Sequence, residues 1–132
     1  MNTKLVMTLS ALIMGTSGIA LSFMPDIILG SMSIDTSSVN LVVLQILGAL
    51  YFAFAMLNWM TKSNLIGGIY NRPIAIANFA HFLIAGLALV KGLIAYPALP
   101  FSMWVAAVIY TVLGFTFGVI VFRHPLPLKQ KV

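Results

Sequence analysis

His81 and Lys91 stand inside long apolar runs, together with the neutral polar residues Gln45, Tyr51, Asn58, Asn78 and Tyr110. A histidine at such a position can relay protons or contact a ligand, and an isolated ammonium can bind an anionic headgroup or substrate. Each also has a structural reading. A neutral imidazole can hydrogen-bond to a tyrosine hydroxyl or a backbone carbonyl. A lysine can lay its stem along apolar surroundings and send its amine to the interface. Lys91 precedes Tyr96 by five residues, about 7–8 Å along a helix, which is within snorkelling reach.

Several chemistries are excluded by residue type. The chain holds two acidic residues, Asp26 and Asp35, and neither lies in an apolar run, so a proton-coupled pump lacks its usual carboxylate. The absence of cysteine removes disulfides, thiolate catalysis and cysteine metal sites. Met56-x-x-x-Met60 offers two thioethers that suit Cu(I), but methionine at that spacing is also an ordinary gap filler and no dense methionine cluster accompanies it. One mid-run histidine supplies too few ligands for zinc or di-iron, and no Ser-His-Asp or paired-carboxylate arrangement can be assembled. The sequence therefore points to no catalytic residues, no metal and no cofactor.

The elements that carry these residues are four apolar runs, Leu5–Met24, Val39–Met60, Ile74–Tyr96 and Phe101–Phe122. Apolar residues make up 61% of the chain and charged residues only 7%, which excludes an ordinary soluble fold. Each run is about 30 Å long as a helix, the thickness of the hydrocarbon layer. Lys4, Lys62, Arg72, Arg123, Lys129 and Lys131 fall on one side of this zigzag, and Asp26 and Asp35 fall on the other. The pattern predicts a single transmembrane domain over 1–132: an all-α, left-handed four-helix bundle, up-down-up-down, with both termini cytoplasmic. The net charge of +5 is then explained by orientation and anionic headgroups, with no nucleic acid needed. Met1–Lys4 and the apolar stretch after it resemble a signal peptide. The apolar sequence continues to Met24, longer than a usual signal core, so a retained first span is expected.

Helix packing in lipid needs small residues at steps of three and four. Span one offers Thr8, Ala11, Gly15, Gly18 and Ser22; span two offers Gln45, Gly48, Phe52, Ala55 and Trp59, with Tyr51 and Asn58 beside them. Span three offers Ile74, Ala77, Asn78, His81, Ala85, Ala88, Gly92 and Ala95; span four offers Ala107, Tyr110, Thr111, Gly114 and Gly118. Gly114 and Gly118 form a GxxxG that serves either internal packing or dimerisation. The depth order of the polar groups predicts hydrogen bonds of Asn58 with Asn78, and of His81 with Tyr51 or Tyr110. The outer segment 25–38 is too apolar for a free loop and reads as a short surface helix, with Asp35 or Thr36 starting span two. Gly67-Gly68 marks a turn, Pro73 suits the first turn of span three, and 123–132 is a basic tail. Trp59, Tyr70, Tyr96 and Trp104 lie near span ends, as interfacial anchors do.

The tract LQILGALYFAFAMLNWMTKSNLIGGIYNRPIAIANFAHFLIAGLALVKG, residues 44–92, resembles a segment of small bacterial four-span inner-membrane proteins. With its Pro-containing outer segment and Leu-x-x-x-Gly-Ala helix, the chain more distantly resembles the DoxX-like four-span proteins. The resemblance implies a bacterial inner-membrane four-helix bundle and carries no site. DoxX-like proteins belong to membrane redox complexes, and no redox residue here matches a motif that would transfer that role. The departures from other tetraspan families are equally plain. The first span lacks the embedded Glu of small multidrug resistance transporters, and the buried acids of sterol-isomerase-like proteins and the cysteines of vitamin K epoxide reductases are missing.

Two functions follow as expectations. One is a non-catalytic membrane protein that acts by association, as a homo-oligomer or with a membrane protein partner, in contact with membrane lipids. The other is a protein that binds or transports a lipid-like or amphipathic molecule in a pocket between spans two, three and four. Gln45, Tyr51, His81, Lys91 and Tyr110 would line that pocket, with Asn58 and Asn78 toward the cytoplasm.

Overall fold

A computed structural model describes residues 2–64, 66 and 69–122, and the regular structure among them is wholly helical. The helices are α1 (Thr3–Phe23), α2 (Pro25–Ser31), α3 (Ser38–Thr61), α4 (Arg72–Ala95) and α5 (Phe101–Phe122), with a 3-10 turn at Ile69–Asn71 before α4. Helices α1, α3, α4 and α5 are long and apolar enough to cross a membrane, which suggests a multi-pass membrane protein. Their ends lie within two residues of the apolar runs. Gly67-Gly68 and the basic tail lie outside the described residues.

Local chemistry sets the helix ends. The Asn2 side chain accepts from the Leu5 N–H at 3.2 Å and caps α1. Ser37, rather than Asp35 or Thr36, caps α3: its backbone is extended and its hydroxyl accepts from the Asn40 N–H at 3.4 Å. Asp35 contributes through its backbone instead, its carbonyl accepting from the Asn40 side-chain amide at 2.9 Å. Pro73 occupies the first turn of α4, where the missing N–H costs nothing. Within segment 25–38 a short helix, α2, does form, with Pro25 and Leu29 buried. A Schellman closure ends it: Ile34 N–H donates to the Leu29 carbonyl at 3.0 Å and Ser33 N–H to Gly30 at 3.1 Å. Ser33 takes the left-handed conformation, φ 56°, that glycine usually fills there.

The helices group into two compact units, Met1–Ser63 and Asn64–Val132. In the first, α1 runs antiparallel to α3 with the backbones in contact. A Cβ placed on Gly18 would lie 2.7 Å from the Phe52 nitrogen and 2.8 Å from the Gly48 oxygen. One placed on Gly48 would strike the Ser22 hydroxyl and come within 2.8 Å of the Gly18 oxygen. Gly15 faces Ala55, and the seam continues through Met7, Ser10, Ala11 and Met14 on α1. On α3 only Gly48, Ala55 and Asn58 are buried, while Gln45, Phe52 and Trp59, expected on the same stripe, are exposed.

In the second unit α4 and α5 are antiparallel. Gly114 of α5 faces the Phe82 and Leu83 backbone of α4, and Gly118 faces the Phe79 ring. The GxxxG is thus used inside this hairpin. The α4 seam is Ala75, Asn78, Phe82, Gly86 and Leu93, rotated by about one residue from the small-residue stripe read in the sequence. Large rings decide the rotation: Phe82 is fully buried against Phe117, with Gly86 one turn on to admit the α5 backbone. Ala85 is left half-buried, and a Cβ on Gly92 would meet nothing within 4 Å.

Gly18 and Gly92 therefore respond oppositely to alanine. Gly18→Ala is expected to cost about 1–3 kcal/mol because backbone must move. Gly92→Ala is expected to be neutral or to stabilise by up to ~1 kcal/mol as a better helix former. Unfolding of the full chain in mixed micelles measures both, and equal losses would contradict the α1–α3 crossing.

Candidate functional site

The α4–α5 hairpin is organised around aromatic rings. Phe82 stacks on Phe117 with centroids 5.7 Å apart and meets Tyr110 edge-on at 5.2 Å. His81 lies 5.2 Å from the Phe82 ring and 5.7 Å from the Tyr110 ring, and Phe79 meets Phe122 edge-on at 5.8 Å. Edge-on and offset contacts satisfy the ring quadrupoles. Phe79 and Phe82, three residues apart on α4, face Phe122 and Phe117, five residues apart on α5. The hairpin is thereby locked in register.

Beside this seam the hairpin opens a groove of about 600 Å³. Phe79, Phe82, Leu83, Gly86, Leu87 and Val90 line it from α4, and Thr111, Gly114, Phe115, Gly118, Val119 and Phe122 from α5. Three glycines, Gly86, Gly114 and Gly118, make its floor because they have no side chain to fill it. Leu87, Phe115 and Phe122 stand out as its rims and are exposed. The volume falls within the range of about 300–1,000 Å³ typical of small-molecule sites. Thr111 is the one polar side chain in the lining, and no lining residue titrates. Such a groove can receive an apolar body but has no acid, base or nucleophile beyond one hydroxyl.

The polar residues singled out in the sequence are placed elsewhere. None of Gln45, Tyr51, Asn58, Asn78, His81, Lys91 and Tyr110 lines the groove. Gln45 and Lys91 are exposed, Tyr51 and His81 are half-buried, and Tyr110 is buried. The geometry brings His81 and Tyr110 together as neighbouring rings. Asn58 is fully buried and donates to the Ser10 hydroxyl at 3.0 Å; that hydroxyl donates to the Met7 carbonyl at 3.0 Å. Asn78, also fully buried, donates to the Ile74 carbonyl at 2.9 Å. Ser10 was not anticipated. Nothing distinguishes it in the sequence except its place one turn from Met7 and Met14 on the buried face.

Lys62 sits 2.9 Å over the centroid of Trp59, three residues earlier on the same helix end. The pair makes a cation–π contact at the end of α3. Among the described residues no three His, Cys, Asp or Glu side chains gather as a metal site would require. The groove itself went unread because leucine and phenylalanine carry no contrast in an apolar helix. Its one visible trace is Gly86 with Gly114 and Gly118, bracketed by phenylalanines.

No family model, no curated protein and no solved structure matches this chain.

The buried Ser10–Asn58 bond is expected to couple α1 to α3. A double-mutant cycle of Ser10→Ala and Asn58→Ala should give a coupling of about 0.6 kcal/mol, with ~1.7 as the upper bound for hydrogen bonds between membrane helices. Additive losses would mean that the two side chains contribute independently.

Proposed function

We propose that this chain is a non-catalytic membrane protein acting by association within the bilayer, as a homo-oligomer or as an accessory subunit of a membrane complex. It is placed in a bacterial inner membrane as a four-helix bundle with both termini in the cytoplasm. The side of the membrane is argued from charge: Lys4, Lys62, Arg72, Arg123, Lys129 and Lys131 flank the same ends of the four helices, and Asp26 and Asp35 the opposite ends.

One observation carries the functional reading. The α4–α5 groove has no titratable lining, and the buried Asn58 and Asn78 side chains bond to Ser10 and to the Ile74 carbonyl. Catalysis needs convergent polar groups at a cavity, whereas association needs only shape and apolar surface. The surface is ample: Val43, Ile46, Leu50 and Met56 of α3 and Ile84, Val108 and Val112 of the hairpin are all exposed. Such faces meet either lipid tails or another helix.

The second reading is binding or transport of a lipid-like or amphipathic molecule, and the volume of the groove favours it specifically. Its apolar part would occupy the groove.

Gentle extraction of the full chain from its native membrane, followed by intact-complex mass measurement, separates the two. A stoichiometric protein partner or a stable oligomer is the expected result. Recovery as a bare monomer would sink the association reading, and a monomer holding lipid alone would replace it with the second.

A further inference from the structure

We infer that the α4–α5 groove seats one acyl chain of an anionic phospholipid drawn from the leaflet on the Arg72 side, with the phosphate held at Arg72. The inference deepens the lipid-binding reading and rests on it, whether or not the chain also associates with another protein.

Length is the first argument. The groove runs from Phe79 to Val90 on α4 and from Thr111 to Phe122 on α5, twelve residues and eleven helical steps in each case. At 1.5 Å per residue this is about 17 Å, close to half of the ~30 Å hydrocarbon layer, which is the depth of one leaflet. On α4 the groove starts at Phe79, seven residues past Arg72, and ends at Val90, five residues before the end of the helix. A chain entering from the Arg72 side would lie along it with its terminal methyl toward Val90 and Thr111.

Width selects a chain over a helix. The glycines of the floor are already committed within the hairpin, Gly114 against the Leu83 backbone and Gly118 against the Phe79 ring. A second helix, with a diameter of about 10–12 Å, has no backbone left to approach there. A polymethylene chain is thinner and needs only the dispersion contacts that Leu87, Phe115 and Val119 provide.

Charge selects the headgroup. The edge-on pair Phe79 and Phe122 marks the end of the groove that faces the start of α4. Arg72, exposed, is the first residue of α4, two turns or about 10 Å beyond Phe79. The positive end of the α4 dipole lies at the same place. No carboxylate competes, since Asp26 and Asp35 are the only acids and neither belongs to α4 or α5. A phosphate emerging from the groove therefore meets a cation and no acid. Neutral headgroups gain less there.

Photolabelling of the full chain tests this. The chain is reconstituted in phosphatidylcholine vesicles with a trace of phosphatidylglycerol bearing a diazirine on its acyl chain, and adducts are mapped by peptide mass spectrometry. Adducts should concentrate on Leu83, Leu87, Phe115 and Val119 over the equally lipid-facing Val43 and Ile46. Leu87→Trp and Val119→Trp, which fill the groove independently, should each reduce groove labelling to the level of Val43, while Val43→Ala leaves it unchanged. Arg72→Gln should lower the preference for phosphatidylglycerol over a matching phosphatidylcholine probe about fivefold, the weight of one basic residue at an anionic surface. Labelling spread evenly over α3 and the hairpin would overturn both the inference and the lipid-binding reading. Groove labelling that ignores headgroup charge and Arg72 would overturn the anionic assignment alone. In a variant carrying a diazirine amino acid in place of Phe115, cross-links into a second copy of the chain would overturn the lipid as occupant and return the groove to association.

Discussion

Inside hydrocarbon a peptide group has no water to bond, so every span must satisfy its own backbone, and only a helix does this within one segment. The same demand extends to hydroxyls. Thr8, Thr16, Thr61 and Thr116 each donate to a carbonyl of their own helix, four residues earlier. Once the helices are internally complete, lipid gives them no hydrophobic reason to meet, because tails solvate leucine as well as another helix does. Contact then depends on close packing. That is why Gly18 and Gly48 matter more than any polar residue of the first unit: they let two backbones touch, and the dispersion gained there holds α1 to α3.

The second unit solves the same problem with rings. Phe82 and Phe117 fill the α4–α5 seam, and Gly86, Gly114 and Gly118 provide the space that rings and backbone need. Glycine next to phenylalanine cannot fill volume evenly on both sides of a seam. The groove is the unfilled side. It is consequently a product of how the hairpin packs, and its apolar lining follows from its place in the bilayer.

Polar side chains in this protein act mainly as fasteners. Asn58 and Ser10 join α3 to α1, Asn78 bonds to the Ile74 carbonyl of its own helix, and Lys62 lies over the Trp59 ring at the end of α3. A polar pair in lipid has few alternative partners, so each such bond specifies register as well as adding stability. The surface that each unit exposes is largely apolar, and association and lipid contact both draw on it.

The four long helices were legible from the sequence because burial in lipid demands twenty-odd apolar residues in a row, a signal that survives any detail of packing. Pro73 and the short outer helix were legible for local reasons, a fixed φ and an apolar segment between two spans. Ala11, Gly15 and Gly18 of α1 and the Gly114–Gly118 contact lie at the small-residue spacing, whereas Met7, Ser10 and Met14, which share the buried face of α1, are not picked out by it. The rotation of the α4 seam did not, because a rank of Ala77, Ala85, Ala88 and Gly92 looks like a packing face, yet the burial of Phe82 outweighs it. Nor did the choice of Ser10 for Asn58, or of Ser37 as the α3 cap. Such partners are selected by three-dimensional proximity among several residues of equal propensity. Composition and period decide which segments cross the membrane, since the bilayer reads them one helix at a time. Which faces touch, and where a groove remains between them, is decided by the shapes of two helices together, and no single segment carries that information.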